Sequence, residues 1–275
     1  MTRPDDDMPE IRSLEVQIEV TGTPEQVWEA IATGPGISAW FVPSEVQERE
    51  GGVITMHIAP DMDSKGIITG WEPPHRFAYE ERDWFEDAPP LATEFLVEAR
   101  AGGTCVVRIV NAMTSTGVDW EDEFFDGMDE GWQSALHVLR LYLGHFPGQR
   151  CSTIRATGSA AGTRESAYAA LTAALGVADA AEGERATGAA DAPPLAGVVA
   201  RVAENSLLLT VDEPAPAVAS AFTYGMNDDD AISTVVHLYL FGDDASAVAA
   251  REEPAWQAWM RERFPPADAG STARA

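Results

Sequence analysis

Lysine is almost missing from this chain: Lys65 stands alone beside seventeen arginines, and 45 acidic residues leave a formal net charge of -27. A surface that negative repels phosphate backbones and anionic lipid, so nucleic acid is excluded as a partner and membrane insertion is not expected. Cysteine is as scarce. Cys105 and Cys151 are too few for a disulfide framework and cannot form a zinc site alone. Cys105 alternates with strand residues and reads as a small buried apolar side chain. Long apolar runs are missing as well: no stretch approaches the roughly 20 residues of a membrane helix. Met1–Pro9 is acidic and lacks the apolar segment of a signal peptide. A soluble, acidic, cytoplasmic protein is expected.

Catalytic signatures are equally thin. No nucleophile elbow, phosphate-binding loop or dinucleotide fingerprint occurs. The five histidines (His57, His75, His137, His145 and His237) show no paired ligand spacing. Counted as a calcium loop, the acidic run from Asp119 puts Phe124 at the position that must be glycine, so it reads as an acidic helix start. Asn227–Asp230 reads as a hairpin loop before any metal site. No metal and no cofactor are expected.

What is present is a chain of 275 residues, 45% hydrophobic, long enough for two domains with cores of their own. Leu14, Val16, Ile18 and Val20 alternate with Glu15, Gln17 and Glu19, the period of a strand with one buried face. Thr23-Pro24-Glu25-Gln26 then starts a helix, with a hydroxyl cap and proline in the first turn. Gly34-Pro35-Gly36 is expected to stop it, and Ile37–Phe41 to form a second short helix ending in Trp40 and Phe41. From Pro43 to Ala112 the pattern is a β meander, with a Gly102-Gly103 hairpin turn of the kind that needs positive φ. A long helix is expected over Asp119–Phe146, with Phe124, Met128, Trp132, Leu136, Leu139 and Leu143 as the stripe facing the sheet. Gly127 and Gly131 are costly inside a helix, by roughly 1 kcal/mol each relative to alanine. Close packing or room for a ligand is the expected compensation.

A boundary is expected near Phe146–Arg150, where composition shifts to Ala, Gly, Ser and Thr. Beyond it, Ser166–Leu175 reads as a helix. Strands are expected at Leu195–Val202, Leu207–Val211, Val218–Tyr224 and Thr234–Phe241, and a closing helix from Glu253. Trp256-Gln257 echoes Trp132-Gln133, Gly197-Val-Val-Ala echoes Gly66-Ile-Ile-Thr, and Thr234-Val-Val-His-Leu echoes Cys105-Val-Val-Arg-Ile. The second half reads as a degenerate repeat lacking the early hairpin, with Ala178–Pro194 as a flexible linker in its place. The expected division is a disordered 1–10, a first domain over 11–148, a degenerate half-repeat over 149–265 and a disordered 266–275.

Thr23-Pro24-Glu25-Gln26-Val27-Trp28, Trp40-Phe41, Trp71-Glu72-Pro73-Pro74-His75-Arg76-Phe77, Gly102-Gly103-Thr104 and Gly131-Trp132 fall in one order. In that order the first half resembles bacterial proteins similar to the C-terminal domain of the activator of Hsp90 ATPase, members of the START-like (SRPBCC) superfamily. The resemblance covers residues 11–146. It implies an α+β helix-grip fold, a curved antiparallel sheet around a long C-terminal helix with a cavity between them. Typical members bind lipids, polyketides or other apolar molecules there, and a few catalyse cyclisation or dehydration.

Ten side chains are candidates to line that cavity: Trp40, Phe41, Met56, Tyr79, Trp84, Phe95, Met113, Phe124, Met128 and Trp132. Aromatic and methionine side chains suit an adaptable apolar site, while the plainer reading of any one is simple core. Glu81 continues the face of Phe77 and Tyr79, and Asn111 that of Val107 and Ile109. Solvated strand ends are the plainer reading of both; pointing inward, they would orient a ligand or act as a general acid. The leading expectation is a non-catalytic carrier or sensor of an apolar small molecule. The rivals are a cyclase or dehydratase acting in the same cavity, and a chaperone-assisting interaction module. A protein partner or homodimer stays open.

Overall fold

In the computed structural model, which describes residues 10–59, 62–82, 84, 88–118, 120–225 and 231–265, the chain divides into two compact units, 1–148 and 149–275. The expectations for residues 1–9 and 266–275, for Asp119 and for Asn227–Asp230 lie outside the described residues.

The first unit opens with β1 (Ile11–Thr21), whose even-numbered side chains turn inward and whose odd-numbered ones are exposed. Helix α1 (Pro24–Ala32) starts on a capping box: Thr23 Oγ1 accepts from the Gln26 amide and Gln26 Oε1 accepts from the Thr23 amide at 2.9 Å. Gly34-Pro35-Gly36 does not stop a helix there. It opens α2 (Gly34–Ser38), because proline suits a first turn and Thr33 Oγ1 accepts from the Gly36 amide at 3.1 Å. Trp40 and Phe41 follow just beyond that helix.

The meander is β2 (Ser44–Val46), β3 (Val53–Ala59), β4 (Met62–Glu72), β5 (Arg76–Glu81), β6 (Leu91–Arg100) and β7 (Thr104–Thr114), followed by α3 (Trp120–His145). The sheet is antiparallel and runs β1-β7-β6-β5-β4-β3-β2, so first and last strands are neighbours. Gly102 and Gly103 both take positive φ in the β6–β7 hairpin. The fold is α+β, a curved antiparallel sheet with one long helix, the helix-grip arrangement.

The second unit comprises β8 (Cys151–Ala160), α4 (Arg164–Leu175), β9 (Arg185–Thr187), β10 (Ala196–Val202), β11 (Ser206–Glu213), β12 (Ala217–Tyr224), β13 (Ile232–Phe241) and α5 (Ala245–Arg263). Its sheet runs β8-β13-β12-β11-β10-β9, the same path with one edge strand fewer. The bulges agree as well. The β4 register shifts between Ile68 and Gly70, and the β10 register between Val199 and Arg201, the same offset that pairs Gly66 with Gly197. The second unit is a degenerate copy of the first.

Two expectations fail here. The stretch read as a flexible linker carries β9, which pairs with β10 and is tied to β11 by Arg185 and Asp212 at 2.7 Å. The closing helix begins at Ala245, eight residues before Glu253, and keeps Pro254 in its interior. Proline there removes the donor for the Ala250 carbonyl. Both residues are on the exposed side, which leaves that carbonyl open to solvent. Trp256 and Met260 of α5 pack with Leu171, Ile154 and Leu238 in this unit's core. A fully buried Trp256 contributes on the order of 4–6 kcal/mol of apolar burial.

Candidate functional site

The inward face of the first sheet is laid out in rows by the strand register. Phe77, Phe95, Ile109 and Val16 stand opposite one another across β5, β6, β7 and β1. The next row, one step toward the start of α3, is Tyr79, Thr93, Asn111 and Leu14. One step further come Glu81 on β5 and Leu91 opposite it. An aromatic row therefore gives way to a polar one within the same interior.

Over the aromatic row lies a closed cavity of about 10 Å³ lined by Ile37, Trp40, Phe41, Ile54, Met56, Phe77, Tyr79, Phe95 and Trp132. That is space for about one water, against the ~300–1,000 Å³ of ordinary ligand sites. The rings themselves fill it. Trp132 of α3 stacks on Phe41 at 5.1 Å and meets Phe95 edge-on at 5.8 Å. The Trp40 indole donates to the Ala30 carbonyl at 2.9 Å, which fixes it as a wall. Gly66 on β4 is needed for this packing: a Cβ there would stand 2.8 Å from the Tyr79 ring. Six of the ten expected lining residues meet here. Ile37, Ile54 and Phe77 were missed, although Ile54 alternates with Met56, and Phe77 shares the face of Tyr79.

The other four gather in a separate cluster. Met113 packs with Leu91 and Phe125, and half-buried Trp84, Phe124 and Met128 close over them with Leu14 and Trp120. Trp84 stacks on Phe124 at 4.7 Å and its indole donates to the Pro89 carbonyl at 2.9 Å. The stripe of α3 differs from the expected one at its start, because Phe125, not Phe124, is the buried ring. Gly127 and Gly131 lie on the exposed face, and a Cβ at either would meet nothing within 4 Å. Close packing is therefore not what offsets them.

Glu81 and Asn111 are not solvated strand ends; they are 8% and 1% exposed, because both continue the inward face under α3 and its flanking rings. Ser64 donates to Glu81. Burial pushes the Glu81 carboxyl up, opposed by that hydroxyl. Burial also raises Tyr79, as does the neighbouring Glu81 carboxyl, with the Thr93 hydroxyl working the other way. Asn111 Nδ2 donates to Thr93 Oγ1 at 2.8 Å, whereas Asn111 Oδ1 is buried with no partner.

The start of α3 is clasped separately. Glu121 accepts from Ser115 Oγ at 2.7 Å and from the Thr116 amide at 2.7 Å and hydroxyl at 2.8 Å. Those bonds, with Arg12 nearby, hold its carboxyl below the usual range. Arg12 also pairs with Asp122 and lies 5.1 Å over the Phe125 ring. A second hollow of about 270 Å³ runs between β1 and α3, but Glu15, Gln17, Asp129, Gln133 and His137 make its lining mostly polar. Among the described residues no group of three side chains is placed to hold a metal ion, and no helix is long and apolar enough to cross a membrane.

No curated protein matches the chain. Among solved structures, CalU16 from Micromonospora echinospora is similar at 22% identity, over 49% of this chain and 78% of that one, with a TM-score of 0.40. The di-domain ARO/CYC BexL from the BE-7585A biosynthetic pathway is similar over 96% of this chain and 100% of that one, at 13% identity and a TM-score of 0.44. The Aha1 dimer from Colwellia psychrerythraea is similar at 14% identity, over 48% and 96%, with a TM-score of 0.40. Residues 21–144 match the model of the Activator of Hsp90 ATPase homolog 1-like protein family. By that match and the helix-grip fold described above, the first unit is similar to the activator of Hsp90 ATPase homolog 1-like family, a family of START-like (SRPBCC) type.

Proposed function

We propose that the first unit binds a small, mostly apolar molecule between its sheet and the first half of α3, as a carrier or sensor without catalysis. The observation that carries this reading is the polar row inside an aromatic interior. Tyr79, Thr93 and Asn111 are all buried, and one amide oxygen among them is unpaired. An unmet buried acceptor costs about 1–3 kcal/mol. Functional sites keep such acceptors. The ten residues Trp40, Phe41, Met56, Tyr79, Trp84, Phe95, Met113, Phe124, Met128 and Trp132 would contact the guest. With only about 10 Å³ free, it would enter by lifting the start of α3 and parting the Trp84 and Phe124 rings.

The closed interior also favours a second reading, an interaction module whose sheet surface does the work and whose core stays filled. Native mass spectrometry of the full chain, followed by denaturing extraction, separates the two. Ligand binding predicts a copurifying apolar molecule, or uptake of a hydrophobic dye, lost in a folded Trp132→Ala variant. Clean protein that takes up no dye would overturn the binding reading and leave the interaction module.

A further inference from the structure

We propose that the Asn111 amide is the polar anchor of this interior and that its carbonyl accepts the hydroxyl of an uncharged aromatic molecule. This rests on the binding reading above and adds the chemical class of the guest. Three observations lead to it. Asn111 is 1% exposed on the inward face of β7, and one N–H of its Nδ2 is donated to Thr93 Oγ1 at 2.8 Å. Its Oδ1 is an acceptor with nothing donating to it, and the missing partner must therefore be a donor. The strands that flank Asn111 present apolar neighbours on either side of the polar row: Phe95 and Ile109 toward the cavity, and Leu91, Met113 and Phe125 toward the start of α3, with Glu81 further off on β5. A flat ring system carrying one hydroxyl matches that sequence of surfaces, with the ring bodies against Phe95 and Trp132 and the hydroxyl on Asn111.

Charge narrows the class further. A charged guest of either sign pays to leave water for this apolar interior, and an anion is repelled as well by a chain of net charge -27. An ammonium guest meets no ready counter-charge, because burial works against the charged form of Glu81. A neutral hydroxyl carries neither penalty.

The test uses the full chain and two probes of nearly equal shape, 2-naphthol and 2-methylnaphthalene, titrated by fluorescence. The wild type is expected to bind 2-naphthol about tenfold more tightly, the worth of one buried hydrogen bond. Asn111→Leu is expected to erase that preference while still binding 2-methylnaphthalene. Its melting temperature should equal or exceed that of the wild type, since the substitution removes an unmet buried acceptor. Asn111→Ala reads the same difference with no added bulk, should leucine overpack the row. Equal binding of the two probes by the wild type, or a preference that survives both substitutions, would overturn the anchor and leave the binding reading standing. No binding of either probe would overturn both.

Discussion

Alanine at both Gly127 and Gly131 is expected to stabilise the first unit and, by doing so, to slow entry into its interior. Glycine inside a helix costs roughly 1 kcal/mol relative to alanine, because the unfolded backbone has more freedom to lose. The added methyl meets nothing within 4 Å at either position, so no clash offsets the gain. The two sites lie one helical turn apart, and two small methyl groups that touch no other element give an expected sum of about 2 kcal/mol. For a unit of 148 residues that corresponds to a rise in melting temperature of about 4–8 °C. Thermal unfolding followed by circular dichroism checks it directly.

The same substitutions act on opening. The glycines lie in the part of α3 that covers Met113 and Leu91, between the Glu121 clasp and Trp132. If the first half of α3 must lift for a guest to enter, 2 kcal/mol more helix stability makes the open form about thirtyfold rarer. Amide exchange over 120–131 and the initial rate of dye uptake should both fall in proportion. A lower melting temperature would refute the account of the glycines as free of packing. A higher melting temperature with unchanged uptake would refute entry through α3.

The two acidic groups at this end of the sheet should give opposite pH signatures. Glu81 titrates above its unfolded value of about 4.3, so the native state keeps the proton longer and stability falls as pH rises through the folded value. Glu81→Gln should therefore raise the melting temperature at pH 7, with the gain vanishing toward pH 4; parallel curves across that range would contradict the burial argument. Glu121 titrates below its unfolded value, so its contribution is present above about pH 4.3 and is lost as pH falls through the folded value. Glu121→Gln should lower the melting temperature at pH 7 and converge with wild type in acid; an unchanged midpoint at pH 7 would mean that the clasp contributes nothing. Trp256→Ala should cost about 3–5 kcal/mol by chemical denaturation, since the side chain is 0% exposed in the core of the second unit.

The fold was legible because strand alternation and capping are local. Leu14 to Val20, Thr23 to Gln26 and Gly102-Gly103 each state their structure within a few residues. What was not legible depended on distant partners. Phe124 and Phe125 are adjacent on the helix, about 100° apart around its axis, and which of them is buried is set by where Met113 and Leu91 stand. Gly34-Pro35-Gly36 reads equally well as a stop or a start until Thr33 is seen capping it. Glu81 and Asn111 sit at strand ends in the sequence, yet lie under aromatic cover supplied by other elements. The ten expected lining residues fall into two groups, six around the small cavity and four about Leu91 and Phe125. They were read as one site because a sequence shows which face a residue takes and not how far along the sheet it lies.

The second unit supplies the comparison that gives the polar row its weight. Starting from the fourth residue of the first strand in each unit, the row in the first is Leu14, Asn111, Thr93 and Tyr79, and in the second Ile154, Leu238, Ala219 and Leu209. The same strand order thus closes over an apolar row as readily as over a polar one, so the fold itself does not require hydrogen-bonding groups there. In the second unit Leu209, Ala219, Leu238 and Ile154 join one continuous core with Trp256. In the first, the core breaks at the polar row, with the Trp132 cavity on one side and the Leu91, Met113 and Phe125 cluster on the other. The second unit keeps buried polar atoms without a partner as well, Asn205 Oδ1 and the Trp256 and Trp259 indoles among them, so the place of Asn111 in this row, and not an unmet polar atom alone, sets the first unit apart. On the binding reading proposed above, the stability given up at Asn111 answers to a guest, and not to how the helix-grip sheet is built.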